Sequence, residues 1–180
     1  QPKPAKKSQN SYVSSPIPNN VIVGNTNYLN GDANNLYGNN NAILGSFNNL
    51  AGNNNLLGGY QNTLVGSNNQ LSGNVNYLSG NANVLSGNLN YLQGSANGVI
   101  GNSNGVIGSN NAVIGNVNGV IGTSNGVIGS ANNVYGVGNN LAGNANTAIG
   151  AGNNIIGNVN TVNGISNNVG GNLNTVNGVQ

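Results

Sequence analysis

Asn97-Gly98-Val99-Ile100-Gly101-Asn102-Ser103 runs directly into Asn104-Gly105-Val106-Ile107-Gly108-Ser109-Asn110, and that into Asn111-Ala112-Val113-Ile114-Gly115. The common frame is Asn-x-aliphatic-x-Gly followed by two further residues. Read outward, it occurs 23 times from Asn20 to Gly178 with no insertion or deletion. Neither the Asn nor the Gly column has an exception. The aliphatic column runs from Ile22 through Leu29 to Leu92, Val99 to Val134, and on to Val176, with Ala148 its smallest member.

A seven-residue apolar period first invites a coiled coil, which needs two apolar positions per heptad and good helix formers. This chain supplies one such position and a Gly in every heptad, at about 1 kcal/mol each in a helix. Inside each motif the period is two instead: Asn, aliphatic and Gly share one side of an extended segment, and the two variable residues share the other. Each heptad therefore reads as a short strand with a turn at Gly-x-x.

So short a strand cannot bury its face alone, whereas identical units stacked along an axis share a continuous core. The predicted fold is all-β: a β-solenoid, or β-roll, of 14-residue two-strand coils, about 11 to 12 of them, forming a rod of roughly 50 to 55 Å. Residues 1–19 form a separate N-terminal Pro/Lys arm and residues 20–180 the solenoid. The inward Asn side chains are expected to bond coil to coil as two ladders, Asn27–Asn41–Asn55 and Asn34–Asn48–Asn62. The in-phase Gly is expected to supply positive φ and room at the turn.

Composition narrows the function classes. The charged side chains are Lys3, Lys6, Lys7 and Asp32, and the chain has no His and no Cys. No general acid and base pair, activated nucleophile or Cys/His metal site can be assembled from them. Catalytic, cofactor and metal residues are therefore expected to be none. No Gly-Lys-Ser/Thr phosphate loop follows a strand, and Asp is too scarce for a calcium β-roll. Apolar runs stay far below a membrane helix, and three Lys make a weak patch for nucleic acid, so neither membrane insertion nor nucleic acid is expected. Low charge and an opening Gln fit an extracellular, secreted or cell-surface product.

Function then rests on the outward positions, where residues 14 apart stack. One face carries Tyr77 over Tyr91, Ile107 over Ile121, and the column Thr147, Thr161, Thr175, with Asn163 and Asn177 beside the last two. The opposite face carries Ile100, Ile114 and Ile128. Flat, uncharged sheets with Ile ladders invite pairing with another molecule, so these Ile and Tyr residues form a predicted lateral interface. Tyr12 and Val13 of the arm, with Val21, Val176 and Val179, form a predicted end-to-end interface, the arm adding a strand to a neighbour. The leading expectation is a structural, self-assembling extracellular filament subunit whose partner is itself.

The motifs Asn104-Gly105-Val106-Ile107-Gly108 and Asn160-Thr161-Val162-Asn163-Gly164 resemble the Asn-x-Val-x-Gly repeat of grass ice-recrystallisation-inhibition proteins across residues 20–178. That resemblance implies a β-roll that binds ice on a flat face, here through Thr147, Thr161, Thr175, Asn163 and Asn177. It makes ice the alternative partner. The family favours Thr and Ser beside its Val, whereas this chain carries mostly Ile, Gly, Tyr and Asn there. Asn111-Ala112-Val113-Ile114-Gly115 is similar, more distantly, to trimeric autotransporter adhesin heads, a resemblance that places outward aliphatics at a trimer interface.

Overall fold

The computed structural model describes residues 12–13, by their backbone, and residues 19–179. Among them every regular element is a strand: 24 in all, from β1 (Tyr12–Val13), β2 (Val21–Val23) and β3 (Tyr28–Asn30) to β24 (Thr175–Val179). Odd-numbered strands form one 12-stranded parallel sheet and even-numbered strands another. Within each sheet a residue pairs with the one 14 positions on, as Leu78 with Leu92 and Ile107 with Ile121. Two heptads thus close one coil, and the chain is the expected parallel β-solenoid of about 11 coils. No helix among the described residues is long and apolar enough to cross a membrane.

The strand β1 departs from the expected role of the arm. It pairs in parallel with β3 of its own chain, Tyr12 opposite Tyr28 and Val13 opposite Leu29. The offset of 16 residues instead of 14 puts it out of the repeat phase. The arm segment therefore lies on its own outermost coil, occupying hydrogen-bonding groups that the sequence analysis assigned to a neighbouring molecule. Arm residues 1–11 and 14–18, Lys3, Lys6 and Lys7 included, lie outside the described residues.

Two columns build the core. Leu29 through Val162 in the aliphatic column are at most 2% exposed, and Asn27 through Asn167 at most 3%. Burying an amide this fully requires partners for every polar atom, and the coil stacking supplies them. Asn111 shows the pattern: its Nδ2 donates to Gly122 O (2.9 Å) and Asn97 Oδ1 (3.1 Å), while its Oδ1 accepts from Asn125 N (3.0 Å) and Asn125 Nδ2 (3.0 Å). The same scheme repeats in both expected ladders, for example Asn55 to Asn41 and Asn62 to Asn48. Among the described residues no buried side-chain nitrogen or oxygen lacks a partner.

The turn differs from its expected form. The in-phase Gly does have positive φ, +132° at Gly108, but the tight left-handed residue comes two positions later. There, 20 non-glycine residues from Thr26 to Leu173 hold φ between 51° and 61°. They include β-branched Val75, Val117 and Val159, for which this region is least favourable, at about 1–2 kcal/mol per residue. Backbone bonds between coils hold them there, as Val117 N donates to Asn102 O at 2.9 Å. Val117→Gly removes the steric penalty, and Gly138 and Gly152 already occupy equivalent turn positions. Its expected effect is stabilisation by about 1 kcal/mol, read as a raised melting temperature. A lowered one would show that the turn is not left-handed in solution.

Candidate functional site

Because the coils stack without offset, each outward position becomes a straight column along the rod. The spacing along a column is the strand spacing, about 4.7–4.9 Å. Asp32 is the one charged side chain among the described residues, so both sheets are electrically neutral from there on. No group of three or more His, Cys, Asp or Glu lies together among the described residues.

The structure gathers the predicted Thr column on the even-numbered sheet. Thr147 pairs with Thr161 and Thr161 with Thr175, with Ile149, Asn163 and Asn177 forming the column beside them. Thr161, Thr175, Asn163 and Asn177 are exposed and Thr147 is half-buried. Ile107 and Ile121 lie further along the same sheet. There too Tyr77 and Tyr91 stack with ring centroids 5.0 Å apart and planes 8° apart, and the Tyr91 hydroxyl donates to Gln93 Oε1 at 3.0 Å.

The odd-numbered sheet carries the other Ile column. Ile100, Ile114 and Ile128 are about half exposed, at 54%, 48% and 59%. Gly98, Ala112 and Gly126 pair beside them. The result is a ridge of Ile along an open groove of about 340 Å³, continued by Ala142 and Ile156. The predicted lateral residues thus lie on the two opposite sheets, as the 14-residue period placed them. Of the predicted end residues, Val21 and Val179 are exposed and Val176 packs against the core; β2 and β24 are the outermost strands of their sheet.

One exposed feature was missed from sequence. At the turn that leads from the odd to the even sheet, Asn88, Asn102 and Asn116 form an outer ladder, and Asn144, Asn158 and Asn172 another. Each accepts on Oδ1 from the backbone N–H one coil earlier, as Asn88 N to Asn102 Oδ1 at 3.0 Å. These bonds run opposite in direction to those of the buried ladders. The signal was present as a 14-residue spacing of Asn in the turn, masked by the general abundance of Asn.

A neutral rod of two flat parallel sheets, with Asn ladders inside and polar and methyl groups in register outside, is the architecture against which the matching family can be judged. The family model described as grass antifreeze beta roll matches residues 5–94. The chain belongs to that family. The antifreeze β-roll repeat continues in unbroken phase beyond the match to Gly178, so the later coils extend the architecture of the matched ones. The fold is that of a structural repeat domain. Among curated proteins, none matches the chain.

Proposed function

We propose that this antifreeze β-roll binds ice and inhibits its growth or recrystallisation through a flat, uncharged sheet face. The observation that carries the reading is family membership joined to that face. Ice is a neutral, periodic surface, and a charged side chain facing it would hold water in a hydration shell that ice cannot share. Thr hydroxyls and methyls fixed at one strand spacing can hold water in a regular array instead. Thr147, Thr161 and Thr175 with Asn163 and Asn177 form the contact, on coils beyond the residues the family model matches. An extracellular location is part of this proposal, because ice first grows in water outside cells.

Thr161→Lys tests this. The site is exposed, so the fold is expected to survive, while a strongly hydrated charge enters the centre of the column. The expected result is an increase on the order of tenfold in the concentration that arrests ice recrystallisation. Equal potency of parent and variant would remove the Thr column from the contact, and no potency in the parent would remove the function.

Self-assembly is the second reading, favoured by the exposed Ile100, Ile114 and Ile128. Its size places it second. The ridge and groove span five strands of the odd sheet, on the order of 240 Å² at strand spacing and width, against about 800 Å² per partner in a standard interface. Filaments by electron microscopy at micromolar protein, without ice activity, would reverse the order.

A further inference from the structure

The two turns of each coil share one backbone conformation and carry different side chains. At the turn leading from the even to the odd sheet, the left-handed position holds mainly Asn, Ser, Ala and Gly, as at Asn54, Asn68, Asn110 and Gly138. These are residues that tolerate positive φ or are small. At the opposite turn the equivalent position, from residue 75 on, holds Val75, Leu89, Val117, Val159 and Leu173, at φ between 56° and 61°, with Ser103, Ala131 and Ala145 between them. Backbone geometry does not ask for branched aliphatics there, and burial does not either: Leu89 and Val117 are each 61% exposed and Leu173 is 77% exposed. Strained, exposed and apolar residues repeated along one edge call for an explanation outside the fold.

Their neighbours supply a second observation. Each of these aliphatics follows a turn residue that is an Asn of the outer ladder, so amides and aliphatics stand side by side along the rod, with Ser130 interrupting the amide column and Ser103, Ala131 and Ala145 standing between the larger aliphatics. Both are fixed. The Asn side chain accepts from the coil before it, and the aliphatic's own N–H donates back, as Leu89 N to Asn74 O and Val159 N to Asn144 O. From Asn74 to Asn172 this edge is a straight rib of about 34 Å at strand spacing. It is uncharged throughout, and it borders the Thr column: Val159 and Leu173 stand two residues before Thr161 and Thr175.

We propose that this rib is a second ice-contacting strip, set at the edge between the two sheets, whose aliphatic groups and amides meet a different ice plane from the Thr face. The inference rests on the ice-binding reading and extends it to a second surface. Regular amides and methyl groups, held rigid without charge, are the chemistry that an ordered water lattice accepts. An edge and a face at an angle to one another present two orientations to a growing crystal.

The test is the full chain with Leu89→Asn, Val117→Asn and Val159→Asn together. Asn already occupies this conformation at Asn40, Asn54, Asn68 and Asn110, so the fold is kept and its strain reduced. Melting is expected to stay level or rise. Inhibition of recrystallisation is expected to need several-fold more protein. Protein labelled on the amines of Lys3, Lys6 and Lys7 is expected to decorate fewer planes of a single ice crystal than the labelled parent. Unchanged potency and an unchanged plane pattern would overturn the inference while leaving the parent's ice activity and its sensitivity to Thr161→Lys intact. A parent that sediments as an oligomer, with the variant monomeric, would overturn it by making the rib a contact between copies. A parent without ice affinity would overturn the functional reading and the rib with it.

Discussion

Gly108→Ala is expected to destabilise the solenoid by more than ~4 kcal/mol, among the largest effects a single methyl can have. A Cβ at Gly108 would lie inside the carbonyl oxygen of Gly122 on the next coil, and the nearest alternative atoms are also Gly122 backbone. The obstacle is a parallel strand held in register on both sides, so it cannot move aside as a flexible side chain would. The φ of +132° adds a conformation that Ala resists. Gly105→Ala, three residues earlier in the same strand, is the matched control. Its Cβ would meet nothing within 4 Å, and the expected change is within about 0.5 kcal/mol. Thermal unfolding of the two variants checks the pair, and similar melting temperatures would sink the close-approach account of the Gly column.

The second large effect is Asn111→Ala. It leaves the Asn125 backbone N–H and one Asn125 Nδ2 hydrogen without their acceptor, and takes a donor from Gly122 O and from Asn97 Oδ1. Buried unsatisfied groups cost about 1–3 kcal/mol each, and water has no room between coils stacked this closely, so a total of about 3–5 kcal/mol is expected. The loss should spread, because coil stability in a solenoid resides in the contacts between neighbours. Hydrogen exchange should therefore quicken at Asn97 and Asn125 as well as at the substituted coil. Asn102→Ala removes an acceptor of the same chemistry, the Oδ1 that takes Asn88 N and Asn88 Nδ2, from the exposed outer ladder. Water replaces it there, so a change of at most about 1 kcal/mol is expected. Equal effects at Asn111 and Asn102 would contradict the buried ladder.

The difference between these two Asn residues marks how far the sequence could be read. Asn111 belongs to a column with no exception and sits two residues before an aliphatic, which fixes it on the inward side of a strand by alternation alone. Asn102 lies in the Gly-x-x turn, where alternation gives no direction, and its ladder emerged only from the coil geometry. The Gly column was legible as obligatory for a related reason, although its full cause, contact with the carbonyl of the next coil, required the stacked structure. The expected turn was right in place and incomplete in form: positive φ at Gly was foreseen, and the left-handed residue two positions on was not.

Among the outward positions, the columns followed from the 14-residue period, so Thr147, Thr161 and Thr175 aligned as expected, as did Tyr77 with Tyr91. The destination of Tyr12 and Val13 did not follow, because the arm lies outside the repeat and its pairing with β3 is set by an edge that exists only once the coils have formed.

The sequence by itself determined the all-β class, the two-heptad coil, the inward Asn and aliphatic columns, and the neutral outer surface. Strict phase leaves no other way to bury one aliphatic per heptad. Only the tertiary structure decided which turn residues carry the left-handed strain and which Asn form the outer ladders. Those features depend on contacts between residues 14 or 15 apart along the chain, which become neighbours when one coil settles on the next.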